Sequence, residues 1–451
     1  MNGFDPYNNA GFLTQAWQQL GVFWSFDDMN ATWVLIGSLL LGMSASVIGA
    51  FAFLRKRSLL GDALAHAALP GVMMAFLLSG SRDAEIIFAG ALVSSLLGFW
   101  LIDWLPKNTK IKPDAALAIT LSFFFALGLM LLSYIQNTPL PDKSGLDKLL
   151  FGQAAAITSN DIDLLLYVTT LVLLTVMVFF QKFRLIAFNR IYAQTLGVPV
   201  RFYEVVLAIL IVLSVVVGLQ LVGVVLMAAI LLTPIAAARF WSHQLSHLLA
   251  LAALFGALSA SLGAQISYVA PAMPTGPWIV VSLSLLFFIS FVFAPRQGLI
   301  KRHLEDRALK QRVLQENILR TLYKLLERSH FQRNGFSLAE ITELRSLPAT
   351  ELRNNMAHMV RRGWVDQNKQ QYALTEKGLL EAVKLTRRHR LWESYLNQHA
   401  DMTSDQVHQQ AERIEHILNH EQEEQIVAEL MAHFDPHGAP IPDLPDKQGA
   451  R

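Results

Sequence analysis

The chain contains no cysteine. Disulfides, thiolate-bound zinc and cysteine-ligated iron–sulfur clusters are therefore excluded. Any metal must be held without thiolate. Charge is scarce as well: Asp, Glu, Lys and Arg make up 16% of 451 residues, against 53% hydrophobic. The net charge of +2 averages two unlike halves. No G-x-x-x-x-G-K-[ST] string occurs, so the chain carries no phosphate loop and is not by itself a P-loop ATPase. Residues 1–30 hold no Lys or Arg, which excludes the basic start of a cleaved export signal. The stretch from Phe12 to Phe26, with Trp17 and Trp24, reads as a segment lying at the membrane surface.

What is present is a series of long apolar runs. A helix needs ~20 apolar residues to cross the hydrocarbon core. Nine stretches qualify, at about 32–54, 58–80, 84–104, 115–135, 161–181, 203–220, 222–240, 246–268 and 277–294. The sixth and seventh abut near Gly218 and Gly223. One set of loops carries Arg55, Lys56 and Arg57, then Lys107, Lys110 and Lys112, then Lys182, Arg184, Arg190 and Arg201, then Arg239, and finally Arg296, Lys301 and Arg302. The opposite set has only Arg82, Lys143 and Lys148. This bias alternates correctly with nine spans and places the N-terminus outside and the C-terminal part in the cytosol. The expected domains are an extracytoplasmic or interfacial segment (1–30), a membrane domain (31–295), a charged helical linker with the first soluble helix (296–335), residues 336–378, residues 379–443 and a tail (444–451).

Two polar residues interrupt the second run, in the string Gly61-Asp62-Ala63-Leu64-Ala65-His66-Ala67-Ala68-Leu69-Pro70-Gly71. Asp62 and His66 are four apart and share one helix face. They lie ~8–14 Å into the span at 1.5 Å per residue. At that depth ionisable groups are costly unless they face a cavity, a partner or an ion. Carboxylate oxygen and imidazole nitrogen also suit a divalent transition metal. The plain alternative is a capping Asp and a histidine satisfied by backbone. Pro70-Gly71 is expected to break or kink the helix just beyond. Between the fifth and sixth spans, Phe183 to Gly197 reads as a short amphipathic helix stopped by Gly197, either a surface element or a docking site for a cytosolic partner.

Three features together resemble the zinc/manganese/iron-transporting class of ABC permeases: the string from Arg55 to Gly71, the Phe188…Ala193…Gly197 loop, and Val222-Gly223-Val224-Val225-Leu226 leading to Pro234 and Ala236-Ala237-Ala238. The resemblance covers about residues 30–295. It implies a non-enzymatic permease that imports Mn²⁺, Fe²⁺ or Zn²⁺. It also implies a homodimer in a prokaryotic inner membrane, with a dimer of separate ATPase subunits docked at Phe188, Asn189, Ala193 and Gly197. A further implied partner is an extracytoplasmic metal-binding protein. Asp62 and His66 match the pathway ligands. The loop departs from the usual Phe-Asp-Pro in reading Phe188-Asn189-Arg190.

The last third is different in kind. Ten of the thirteen histidines lie at or after His303. Arg296 to about Leu326 is a charged helical stretch. Phe336 to Ile341 and Leu347 to Val360 then read as two helices with Ser337 and Thr350 as N-caps. Gly363-Trp364-Val365 and Tyr372 to Thr375 read as two strands, and Lys377-Gly378 opens another helix, which is a winged-helix pattern. Beyond it His389 and Glu393 are spaced i, i+4, and Glu412, Glu415 and His416 fall on one helix face. Carboxylates with histidine suit Mn²⁺ or Fe²⁺; the alternative is a solvated helix.

From about 310 to 443 the chain resembles the iron/manganese-dependent repressors of the diphtheria-toxin-repressor type. By that resemblance His389, Glu393, His408, Glu412, Glu415 and His416 match metal ligands. The first helix of that family supplies ligands too, and here Asn317 and Arg320 stand where acidic or thioether groups are expected. The winged helix offers Arg345, Arg353, Arg361, Arg362 and Lys369 against Glu340, Glu343, Glu351 and Asp366, a weak footprint for DNA. The sequence thus predicts an all-α polytopic membrane protein of about nine spans. To it is joined a cytosolic winged-helix and helical metal-binding/dimerisation-like domain that senses metal and regulates transport. The competing reading is a membrane-anchored, metal-responsive DNA-binding regulator.

Overall fold

A computed structural model of the chain describes residues 18–19, 21–55, 57, 59–81, 83–139, 158–224, 227–269, 274–333, 335–345, 347–399, 426, 435 and 440–442. It forms two compact units, Met1–Lys301 and Arg302–Arg451.

The first unit is a helical bundle of α1 (Met29–Leu54), α2 (Leu60–Ser79), α3 (Ala84–Asn108), α4 (Pro113–Asn137), α5 (Ser159–Phe188), α6 (Arg190–Thr195), α7 (Val200–Val222), α8 (Met227–Arg239), α9 (Leu245–Val269) and α10 (Thr275–Phe293). Among the described residues, eight of these are long and apolar enough to cross a membrane. The span expected at 222–240 is not one of them. Its helix α8 has 13 residues, about 20 Å at 1.5 Å per residue, less than the ~30 Å hydrocarbon core. The cause lies at Gly223, which ends α7 at φ 83° and ψ 167°, a conformation open essentially to glycine alone. Gly223 and Val224 are buried, as irregular backbone at membrane depth must be.

The helices start where the chain supplies caps. The Asp28 side chain accepts from the Asn30 N–H ahead of α1, and Thr158 with Asp161 forms a capping box ahead of α5. Before α1, Phe23 is buried against Ala31, Leu35 and Tyr268, while Trp24 and Phe26 face outward. Among the described residues of the N-terminal segment, the Phe23 ring and Asp28, which accepts from the Tyr268 hydroxyl at 2.6 Å, hold it to the bundle; Phe12 and Trp17 lie outside the described residues.

Helices α1 and α2 are the enclosed ones. α1 packs on α5, α7, α8 and α9, and α2 on α3, α4, α7 and α8. By contrast α3, α4, α5 and α10 turn large apolar side chains outward, among them Leu97, Trp100, Phe123, Met130, Tyr167, Met177 and Phe288. Such helices are apolar all round and suit a lipid surround.

The contact between α2 and α3 is unusually close. A Cβ added at Gly71 would lie 2.0 Å from the Gly90 carbonyl oxygen, and one at Gly98 would lie 2.6 Å from the Ala67 Cβ. Gly90, Ser94 and Gly98 recur every four residues, the small-xxx-small pattern that lets membrane helices touch. Ser94 Oγ donates to the Ala67 carbonyl at 2.6 Å, and Ser95 Oγ to the Leu64 carbonyl at 3.2 Å. Of the break or kink expected at Pro70-Gly71, the break is absent, since α2 runs from Leu60 through to Ser79. Pro70 still has no N–H, so it cannot donate the i→i−4 bond to the His66 carbonyl. Packing on Gly90, Ser94 and Gly128 holds the helix together across that gap.

The second unit begins within the long helix α11 (Leu299–Arg328). Then come β1 (Phe336–Ser337), α12 (Leu338–Leu344), α13 (Ala349–Arg361), β2 (Val365–Asn368), β3 (Gln371–Leu374) and α14 (Glu376–His399). The sheet order is β1-β3-β2, antiparallel, with Phe336 opposite Tyr372 and Val365 opposite Leu374. The winged helix is therefore present, with a third strand that the sequence reading did not include. Ser337 is the N-cap of α12, and its N–H donates back to Glu340 at 2.8 Å. That bond holds the Glu340 carboxyl below its usual range. Thr350 is not a cap, because α13 already begins at Ala349 behind Pro348. The core joins Ile318, Leu319, Leu322 and Tyr323 of α11 to Ile341, Leu352, Met356, Met359 and Val365. α11 is thus a charged helix in its first half and a core helix in its second.

The α2–α3 contact makes a direct prediction. Gly71→Ala, which sets a methyl against backbone, should destabilise the bundle by about 1–3 kcal/mol, as overpacking does. Gly21→Ala, with nothing within 4 Å, should not. Thermal unfolding of the purified protein in detergent measures both, and equal melting temperatures would remove the packing argument.

Candidate functional site

Asp62 and His66 sit in the first two turns of α2. Their side chains are 25% and 11% exposed, and His66 Nε2 lies 3.4 Å from Asp62 Oδ1. The Phe125 ring of α4 meets the imidazole edge-on, with centroids 4.6 Å apart. His66 Nδ1 is buried with no hydrogen-bond partner. An unmade bond of that kind costs about 1–3 kcal/mol.

The spacing fits an ion. Two donors each ~2.1 Å from one metal, as for zinc with nitrogen and oxygen, subtend about 110° when 3.4 Å apart. That angle is near tetrahedral, so this carboxylate and imidazole can share a cation with little adjustment. Among the described residues no group of three or more His, Asp or Glu gathers in a metal-holding cluster. Among the described residues one chain brings two donors, Asp62 and His66, to this point.

The second candidate element is α6. Asn189 caps it, its side chain accepting from the Tyr192 N–H at 2.9 Å, so Asn serves the capping role that Asp would. Gly197 follows with φ 73°. The structure splits the four expected docking residues. Phe188 is exposed, as are Ile191, Tyr192 and Leu196, each by more than half. Ala193 is fully buried against Ile186 and Val200, so it seats the helix and is not itself on the outer surface. Phe183 to Phe188, read as part of the loop, belong to α5.

Sequence reasoning overlooked Glu204. This residue near the start of α7 holds Arg55 at 2.5 Å and Arg190 at 3.3 Å, with a side chain only 17% exposed. One carboxylate thus ties the first residue of α6 to the end of α1. The signal in the sequence was a lone acid amid an otherwise basic set of loop charges.

In the second unit α14 brings His389 and Glu393 together, with Nε2 to Oε1 3.0 Å, both side chains under 10% exposed. Arg320 of α11 lies against the same ring, Nη1 to Nδ1 2.6 Å. Asn317 is buried, and its Oδ1 has no hydrogen-bond partner. His408, Glu412, Glu415 and His416 lie outside the described residues.

With this geometry in place, comparison with known proteins is decisive for the larger part. The profile of the ABC 3 transport family matches residues 27–294, more than half of the chain. The chain belongs to the ABC 3 transport family. Residues 375–443 match the iron dependent repressor, metal binding and dimerisation domain. The manganese transport system membrane protein MntC of Bacillus subtilis is 43% identical over 301 residues, covering 67% of this chain and 69% of that protein. A probable metal transport system membrane protein of Chlamydia trachomatis is 29% identical over 424 residues, covering 89% and 94%. The structure of PsaBC from Streptococcus pneumoniae in complex with Fab superposes with a TM-score of 0.56 at 33% identity, over 65% of this chain and 99% of that one. This is a multi-pass membrane component of an ABC transporter, joined to a repressor-like domain. Membership of the family implies a separate ATPase subunit and a substrate-binding protein as partners.

The Glu204 link is testable. Glu204→Gln should leave two arginines with a weaker acceptor. It should lower stability by about 1–3 kcal/mol, the range for hydrogen bonds to charged groups. A melting temperature unchanged from the parent would show that the link contributes nothing.

Proposed function

We propose that the chain is the permease of an ATP-driven importer of a divalent transition metal, with Mn²⁺ or Fe²⁺ favoured and Zn²⁺ as the alternative. The observation that carries this reading is the Asp62–His66 pair, 3.4 Å apart on an enclosed helix, with His66 Nδ1 lacking a partner. Two copies of the chain, each presenting this pair, supply two carboxylates and two imidazoles, a sufficient set for a borderline dication. The manganese relative and the iron-dependent repressor match support the choice of metal.

The reading extends to topology and partners. The loop charges put the N-terminus outside and α6 with the second unit in the cytosol of a prokaryotic cell. The outward face of α6, formed by Phe188, Ile191, Tyr192 and Leu196, then meets the ATPase dimer. An extracytoplasmic binding protein delivers the metal at the other side. DNA is left out of the partners: the outward residues Arg353, Arg361 and Arg362 are offset by Glu343, Glu351 and Asp366.

The chemistry asked of the pair is binding and release. Carboxylate and imidazole replace part of the ion's hydration shell, and the enclosure strengthens the attraction. Reconstituted with its ATPase, the transporter carrying Asp62→Ala or His66→Ala should lose at least 10-fold in Mn²⁺ uptake while the subunits still co-purify. Uptake at the parental rate would mean that the pathway ligands lie elsewhere.

The second unit is proposed as the monitor of cytosolic metal, acting to damp transport. Truncation after residue 305 should then relieve inhibition by metal trapped inside proteoliposomes. Inhibition that persists in the truncated protein would dissociate the domain from regulation.

A further inference from the structure

The second unit contains a positive side chain at the point where the repressor resemblance leads one to expect a metal ion. Arg320 Nη1 on α11 is 2.6 Å from His389 Nδ1 on α14, and His389 Nε2 is 3.0 Å from Glu393 Oε1. A guanidinium has only donors to offer. Nδ1 must therefore accept, and the ring proton sits on Nε2, directed at Glu393. Both ring nitrogens are committed, and so is the carboxylate.

Metal binding needs the opposite arrangement. It requires a bare imidazole lone pair and a carboxylate free to face the ion. It also requires a site without a permanent positive charge, and arginine stays charged at any physiological pH. The residue three positions earlier, Asn317, is a neutral amide with a buried Oδ1 that has no partner. At these two positions α11 offers a cation and one amide oxygen, which can face an ion but carries no charge to offset the guanidinium. The residues present do not fit a metal ion held between α11 and α14.

They fit a cross-link instead. Arg320, His389 and Glu393 run as a buried relay from one helix to the other. A second bridge lies close by in sequence on both helices: Arg390 donates to both oxygens of Glu327, at 3.0 and 2.6 Å. Two arginines, one from each helix, thus join the same two helices.

We infer that Arg320 takes the place of a metal ion at His389 and Glu393, so that the pairing of α11 with α14 is made by the chain itself and does not depend on a dication. Any metal response of this domain is then carried by residues other than His389 and Glu393.

The test uses the full chain in detergent, in an Asp62→Ala/His66→Ala background that silences the membrane pair and keeps the outcome independent of the transport reading. The protein is stripped with chelator, equilibrated with Mn²⁺ and assayed for bound metal. Adding His389→Gln or Glu393→Gln should leave the Mn²⁺ content and affinity unchanged. Loss of one Mn²⁺ per chain, or a 10-fold weaker affinity, in either variant overturns the proposal. In the metal-free protein, Arg320→Met should lower the unfolding temperature of the second unit by several degrees. An unchanged temperature also overturns it, since the arginine would then not be holding the helices.

Discussion

The membrane unit depends on how closely α2 and α3 approach. With Gly71 and Gly90 touching backbone to backbone, α2 is enclosed from nearly every side. That enclosure gives Asp62 and His66 their chemistry. In water two such groups would be hydrated and nearly indifferent to each other. In a low-dielectric surround, charges and unmet hydrogen bonds matter several-fold more. The small residues are what make the surround tight: a single methyl at Gly71 would push α3 away and admit lipid or water. Sequence, packing and site are therefore one chain of cause, running from glycine spacing through helix contact to an imidazole nitrogen with no partner.

The outer ring of helices follows from the same constraint. Because α1 and α2 take the interior, α3, α4, α5 and α10 face outward and carry the aromatic and branched side chains that a bilayer requires. The short helix α8 packs against α1, α9 and α10, and Gly223 and Val224 ahead of it are buried. Near the basic end of the bundle, Glu204 links α6 to α1. A force applied to α6 can pass through that carboxylate to Arg55, seven residues before Asp62. Two charged contacts connect the exposed face of α6 with the helix-to-helix turn ahead of the site.

Much of this was legible in the sequence because its signals are strong. Long apolar runs identified the membrane helices, and the Asp62/His66 spacing put both residues on one face. Winged-helix punctuation, namely a Ser337 cap followed by two short strands, was readable from local chemistry. The failures have local causes too. Gly223 shortened the seventh span at its start because its backbone leaves the helical region, which an apolar window does not register. Pro70 did not break α2 because tertiary packing overrode its cost, and no local rule contains that packing. Strand β1 was missed because two residues carry no periodicity. Ala193 was placed in the docking set by the family resemblance; its burial depends on Ile186 and Val200 closing over it, which no local pattern records.

The two histidine–carboxylate pairs show most clearly where sequence reading stops. Asp62/His66 and His389/Glu393 have the same i, i+4 spacing and nearly the same separation, 3.4 and 3.0 Å. A ligand pattern cannot tell them apart. The difference comes from a third residue on another helix. At His66 the Nδ1 atom has no partner among the described residues, and in the proposed transport reading Nε2 and the Asp62 carboxylate are the atoms that face the cation. At His389 the same atom is held by Arg320. A dication placed ~5 Å from that guanidinium would meet about 7 kcal/mol of repulsion at an effective dielectric of 20, against about 16 kcal/mol of attraction from a carboxylate ~2.1 Å away. Identical spacings on two helices thus sit in different surroundings, a pair proposed to take metal in the membrane and a pair faced by a guanidinium in the soluble unit. What separates them is long-range packing, 69 residues from Arg320 to His389, which only the folded chain reveals.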